Sequence, residues 1–261
     1  MKALILSGYG INCEEETFNA FNIAGIEATI VHINDLIENP KKLKSFQVLA
    51  LPGGFSYGDH TGSGNAMAHK IKNNLFENIV DFIERDKLVI GICNGCQILI
   101  NLGVAPASEG YKRELALVEN DIPTYQCRWV NIKVIRQKSP WLKKIKELYL
   151  PVAHQEGKFI ASKKTLDKLN KKKLIICKYI NNNGLLAKKK FPFNPNGSME
   201  DIAAITNTKG NVLAIMPHPE RAFYFLQRPD WIDQKERNFM NKSKQYGDGY
   251  KIFRNAYYYF K

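Results

Sequence analysis

No stretch of this 261-residue chain is apolar for long enough to cross a bilayer. The longest runs, such as Leu88 to Ile92 and Ile98 to Ile100, fall far short of the roughly 20 residues that a spanning helix needs. The segment Met1 to Gly8 also lacks a long apolar stretch ending at a small-residue cleavage site, so it reads as a first strand. The expectation is a cytoplasmic protein with no membrane partner. Arginine is scarce as well, supplying only eight of the 38 basic residues, so the formal charge of +13 rests on lysine. No basic motif interleaved with aromatic residues marks an RNA or DNA module. The excess charge is therefore assigned to a solvated surface, with Lys171 to Lys173 and Lys188 to Lys190 at exposed helix ends or loops, and no nucleic-acid partner is expected.

Two further absences narrow the chemistry. Cys93 and Cys96 form a C-x-x-C pair, but no second pair or spaced histidines complete a tetrahedral set, so no metal is expected. The five cysteines, at 13, 93, 96, 127 and 177, are odd in number, lack the spacing of a secreted scaffold and should be free thiols. Phosphate loops are missing too. Gly8-Tyr9-Gly10 would need its third glycine at Cys13, Gly62-Ser63-Gly64 would need it at Met67, and no Walker A sequence occurs. The chain itself should hold no nucleotide cofactor, and any step that uses ATP must borrow a partner's site.

What is present alternates strand and helix in the first half: Ala3 to Ser7, Glu14 to Ala24, Ala28 to Ile33, Phe46 to Leu51, Ala66 to Arg85 and Lys87 to Ile92. The fold class is α/β, a mostly parallel central sheet flanked by helices. From about Leu115 the segments become β-rich: Cys127 to Ile135, Leu148 to Ala153, Leu174 to Ile180, Ile202 to Thr206 and Val212 to Met216. A final helix, Tyr250 to Phe260, places Ile252, Phe253, Ala256 and Tyr257 on one face. Asn181 to Ser198 reads as a loop insertion. No repeat or linker divides residues 1 to 261, so a single domain is expected.

The sharpest motif is Gly91-Ile92-Cys93-Asn94-Gly95, between a buried strand and an apolar helix. It is the thiol counterpart of the G-x-S-x-G nucleophile elbow. Gly91 and Gly95 remove side chains where strand and helix backbones approach, and Cys93 lands at a helix N-terminus, whose field favours a thiolate. The Asn94 N–H is offered to an oxyanion. A thiolate needs a base, and among five histidines His218 has the best context, Met216-Pro217-His218-Pro219-Glu220-Arg221 at the end of a strand. Each residue before a proline is pushed away from helix, so an extended His218-x-Glu220 segment should point both side chains the same way, with Glu220 orienting the imidazole. His32 and His69 have no partner motif, and His60 lies in a glycine-rich loop. In Leu51-Pro52-Gly53-Gly54-Phe55-Ser56-Tyr57-Gly58-Asp59, a turn after a strand, the Gly54 N–H is assigned to the second half of the oxyanion hole.

With these elements in this order, the sequence resembles the class I, or triad, glutamine amidotransferases, which have a flavodoxin-like fold. The segments Leu51 to Asp59, Gly91 to Gln97, Pro151 to Gly157, Asn194 to Ser198 and Met216 to Arg221 look closest to the member that serves purine biosynthesis, and the likeness extends to Gly247 to Phe253. The resemblance implies a Cys93, His218, Glu220 triad that hydrolyses glutamine, with Gln97 touching the substrate and His154 and Glu156 near the site or at the partner interface. It implies that ammonia passes to a synthetase subunit, joined by a small bridging subunit, which holds ATP and Mg and converts formylglycinamide ribonucleotide to formylglycinamidine ribonucleotide. The chain departs from the short bacterial form at His60 to Ala66, Glu119 to Gln126, Leu185 to Phe193 and Trp231 to Gln245, which bears on partner contacts. Three alternatives stand beside this reading: a glutaminase serving another ammonia-using synthetase, a thiol hydrolase of another substrate, and a non-catalytic interaction subunit.

Overall fold

Segments that are apolar on both faces must be covered on both faces, and two such short runs lie inside the sheet with a strand on either side. In the computed structural model, which describes residues 1–58, 62–233 and 245–261, they are β3 (Val48–Leu51) and β4 (Leu88–Ile92), every residue of both being buried. Beside them stand β1 (Lys2–Ser7), β2 (Glu27–His32) and β11 (Val212–Ile215), in the order β2-β1-β3-β4-β11. All neighbours in this half are parallel. The helices that connect them are α1 (Glu14–Ala24), α2 (Ile33–Glu38), α3 (Asn65–Glu84) and α4 (Asn94–Leu102).

The boundaries of α1 follow from local chemistry. Three acids, Glu14, Glu15 and Glu16, fill the first turn, where the helix dipole is positive. Gly25 ends the helix in the left-handed region at φ 96°, where its N–H reaches the carbonyls of Asn22 and Phe21. The buried side chains Thr17, Ala20, Phe21 and Ala24 recur at helical spacing. Across this face packs α6 (Asp248–Tyr259), which buries Ile252, Phe253 and Ala256 and sets the Phe253 ring edge-on to Phe21 at 5.0 Å.

The additional β segments extend the same sheet. β10 (Ile202–Thr206), β9 (Ile175–Ile180), β6 (Gln126–Val134) and β7 (Glu147–His154) follow β11 through antiparallel pairings, giving nine strands among the described residues. β5 (Ala116–Glu119) and β8 (Glu156–Ile160) form a separate antiparallel pair. The stretch read as β-rich also holds a helix, α5 (Lys163–Lys171). Only Leu166 and Leu169 of it are buried, too few to set a period, and the Ser162 hydroxyl caps its start. α2 was equally hidden, since six residues carry no periodicity.

β7 is the outer strand of the antiparallel half, and alternate backbone groups on its open side are occupied by other elements. The Tyr149 N–H donates to Asp248 Oδ2 at 2.9 Å, the Pro151 carbonyl accepts the His218 N–H at 2.8 Å, and the Ala153 carbonyl lies 3.6 Å from Cys93 Sγ. The end of β7 thus lies against the C-terminal ends of β4 and β11. Lys171 to Lys173 and Lys188 to Lys190 are exposed. Among the described residues no helix is long and apolar enough to cross a membrane. Asp59, His60 and most of the stretch Trp231 to Gln245 lie outside the described residues.

Candidate active site

The elbow is built as its glycines require. Cys93, between β4 and α4, is forced to φ 51° and ψ −105°, a conformation that costs a non-glycine residue about 1 to 3 kcal/mol. Its N–H donates to the Ile215 carbonyl at 2.9 Å and its carbonyl accepts the Gln97 N–H at 3.1 Å, which fixes the turn from both sides. A Cβ on Gly95 would lie 1.8 Å from the Leu51 carbonyl oxygen, and one on Gly91 would lie 2.4 Å from the Gly95 oxygen. The sulfur is buried at the N-terminus of α4, where unpaired N–H groups stabilise negative charge. Asn94 follows as the first helical residue and is itself buried.

His218 arrives from the end of β11. Its Nδ1 lies 2.5 Å from Glu220 Oε1, and both side chains are buried. The path between them differs from the extended segment expected. His218 is extended at φ −99° and ψ 92°, but Pro219 opens a short 3-10 turn, Pro219–Ala222, that carries Glu220. A proline restricts the residue before it, while its own φ suits the first position of a turn, so the second proline starts the turn instead of prolonging the strand. Burial opposes the imidazolium, yet the Glu220 carboxylate and the sulfurs of Cys93 and Cys13 outweigh it and hold the His218 pKa well above the usual histidine value.

The glycine turn after β3 touches the site through Gly53. A Cβ there would meet His218 Cε1 at 2.7 Å and Cys13 Sγ at 3.1 Å, so only glycine lets the imidazole rest on the backbone. Gly54, at φ 145°, forms an antiparallel bridge with Ile11. Gln97 is engaged at both ends of its amide: Oε1 accepts from Asn94 Nδ2 at 3.0 Å and Nε2 donates to the Glu156 carbonyl at 2.5 Å. The Glu156 carboxylate accepts the Ser63 N–H at 2.9 Å. His154 is buried at the end of β7, one residue beyond the carbonyl facing Cys93, and its ring lies against Gly157. Burial, then the positive charge of His218, pushes its pKa down to about 3, so the ring is neutral. Neither ring nitrogen has a hydrogen-bond partner.

Asn194 to Ser198 does its work at one remove. Asn196 Nδ2 donates to the Gly157 carbonyl at 2.8 Å, Ser198 Oγ accepts the Phe159 N–H at 3.1 Å, and Asn194 Oδ1 accepts the Gly197 and Ser198 N–H groups. The segment clamps β8, and with it Glu156, beside α4. His32 accepts the Asn34 N–H at the start of α2, and His69 is exposed on α3; neither is part of the site.

Several neighbours were not foreseen. Cys13 Sγ, a ring nitrogen of His218 and a carboxylate oxygen of Glu220 lie within 4.8 Å of one another. A soft divalent cation could use these donors, but Arg221 Nη2 donates to the same sulfur at 3.0 Å and sets a positive charge against it. Burial raises the Cys13 pKa, so this thiol is protonated at neutral pH. Phe55 and the half-exposed Tyr125 lie 6.1 Å apart between ring centres, with the Tyr125 pKa raised by burial and then by the neighbouring Cys93 sulfur. Cys96, one helical turn beyond Cys93, is fully buried, its pKa pushed far up by burial. All five cysteines are free thiols.

Residues 1–260 match the model of the CobB/CobQ-like glutamine amidotransferase domain. A curated relative, phosphoribosylformylglycinamidine synthase subunit PurQ of Methanococcus maripaludis, is 45% identical over 99% of this chain and 97% of its own length. The protein of the same name from Dehalococcoides mccartyi is 40% identical, with 98% and 96% covered. A chain in the structure of PurLQS from Thermotoga maritima superposes with a TM-score of 0.72 at 29% identity, covering 100% of this chain and 99% of that one.

Proposed function

The chain belongs to the CobB/CobQ-like glutamine amidotransferase family, and from that premise we propose that it is the glutaminase subunit of a phosphoribosylformylglycinamidine synthase. The observation that carries this reading is the buried elbow cysteine at a helix N-terminus, with a histidine held by a carboxylate beside it. Cys93 Sγ attacks the carboxamide carbon of glutamine while the backbone N–H groups of Asn94 and Gly54 receive the developing oxyanion. His218, kept protonated by Glu220, gives its proton to the departing nitrogen as the C–N bond breaks, leaving a glutamyl thioester on Cys93 and free ammonia. His218 then takes a proton from water, hydroxide cleaves the thioester, and glutamate leaves.

Gln97 and Glu156 bound the pocket that receives the substrate, and accepting glutamine would exchange one of the internal bonds of Gln97. Ammonia is used by a synthetase subunit, joined by a small bridging subunit, which holds ATP and Mg, consistent with the absence of a phosphate loop from this sequence. The test is a Cys93→Ala chain assembled with its synthetase. Loss of glutamine-dependent product together with retention of ammonia-dependent product supports the reading, whereas continued release of glutamate from glutamine overturns it. Adding the loaded synthetase to the wild-type chain should raise glutamine hydrolysis several-fold, because a site that feeds a partner gains from being completed by it.

A further inference from the structure

Glu220 carries the imidazolium with one oxygen only. Its Oε1 holds His218 Nδ1, while Oε2 is buried and has no hydrogen-bond partner. The adjacent residue is a guanidinium, which would ordinarily seek such an oxygen as a charge-assisted partner. Instead, Arg221 Nη2 donates to Cys13 Sγ at 3.0 Å and Arg221 Nε lies 3.5 Å from Glu16 Oε1. The Cys13 side chain can receive that bond, since its own thiol hydrogen points to Asn12 Oδ1 at 3.3 Å and leaves the sulfur lone pairs facing Arg221 and the His218 imidazole. Its backbone is fixed by the Cys13 N–H to the Gly53 carbonyl at 3.2 Å, and Gly53 is the residue on which the imidazole rests.

We infer that Cys13 is a positioning residue for the reaction: its sulfur holds the Arg221 guanidinium away from Glu220, so that the carboxylate remains committed to His218. The inference rests on the proposed glutaminase chemistry and adds to it a second cysteine that never bonds to substrate. Removing the sulfur releases Nη2 of Arg221 while Glu16 still holds its Nε, and leaves Glu220 Oε2 on the adjacent residue as a buried carboxylate oxygen without a partner to which Nη2 can turn. The carboxylate would then divide its charge between His218 and Arg221, and the imidazolium would lose part of its stabilisation. Simple packing predicts a different outcome, in which a small cavity lowers stability but leaves the proton inventory of the site intact.

The experiment uses the full chain with its synthetase, and follows both glutamine hydrolysis and alkylation of Cys93 by a glutamine-like electrophile, located by mass spectrometry. Cys13→Ala should lower kcat about tenfold with little change in KM and move the alkaline limb of the pH profile down by about one unit, as expected for weaker pairing of a charged group. Cys13→Ser, whose hydroxyl can accept from Arg221, should restore most of both. Arg221→Gln in the Cys13→Ala background should also return the limb toward its original position, and Cys13→Val, which fills the space without accepting from Arg221 and should lower the limb equally, takes the place of Cys13→Ala if that variant does not fold. Unchanged pH limbs in Cys13→Ala, or in Cys13→Ala compared with the double variant, would overturn the inference. Failure of the electrophile to label Cys93 in the wild-type chain would instead overturn the glutaminase reading on which it stands.

Discussion

Two histidines are buried to the same degree, at the ends of β11 and β7, and the protein treats them in opposite ways. Both are 2% exposed. His218 has a carboxylate 2.5 Å from Nδ1 and is held well above the ordinary histidine pKa, whereas His154 has no partner on either nitrogen and falls to about 3. Burial alone acts in the same direction on each. The difference shows that a placed carboxylate, with the Cys93 and Cys13 sulfurs beside it, makes one buried imidazole a charged acid where the other is an inert ring, and that the charged one helps to keep the other neutral.

The most damaging way to weaken this contrast is Glu220→Gln, which takes from His218 the negative charge that His154 also lacks. Glutamine hydrolysis should fall about a hundredfold, in the range set by a mispositioned general acid, and steady-state kinetics over a pH series should show the alkaline limb moving down. A variant with wild-type kcat and an unmoved limb would remove Glu220 from the mechanism.

The second test acts on stability. His154 binds a proton in the unfolded chain near pH 6.5 but in the folded chain only near 3, so the unfolded state holds more protons between these values. The His154 contribution to stability is therefore complete above about pH 6.5 and declines as pH falls toward 3, by about 1.4 kcal/mol per unit. His154→Leu should flatten this acid slope in urea unfolding at pH 7, 6 and 5. An unchanged slope would mean that His154 is not the proton-excluding group. His218 has the opposite sign: its raised pKa contributes stability below about 6.5 that is lost as pH rises through the folded value. Glu220→Gln should weaken this alkaline decline.

The smallest effect is expected at Asn196→Ala, which releases Gly157 behind His154 without touching His218. A loss of about 1 to 3 kcal/mol in unfolding free energy, with Cys93 alkylation nearly unchanged, would keep the two histidine surroundings separate. A large drop in alkylation would join them.

The parts of this molecule that could be read in its sequence are those whose causes are local. The ends of α1 follow from Glu14 to Glu16 and Gly25, and the elbow from Gly91, Cys93 and Gly95. His218 and Glu220 are two residues apart, so their pairing survived an error about the backbone between them. Cys13 could not be found in this way, because the guanidinium that meets its sulfur is 208 residues distant and no spacing connects them. His154 stood undecided between site and interface for the same reason: its burial depends on β7 lying against β4 and β11, a result of the whole sheet. Gln97 lies within the elbow motif, but its bond to the Glu156 carbonyl depends on β8, a strand that the sequence did not announce.

The open side of β7 has a consequence for solubility. A strand at the end of a sheet offers a row of backbone groups to any other extended chain, and proteins must blunt that invitation to avoid sticking to one another. Here Asp248, His218 and Cys93 occupy groups on Tyr149, Pro151 and Ala153. Two of the three contacts that cover the edge, those of His218 and Cys93, thus belong to the residues that assemble the chemistry. Damage to the Met216 to Arg221 segment should therefore produce aggregation as well as inactivity, and light scattering of such variants should rise with their loss of turnover.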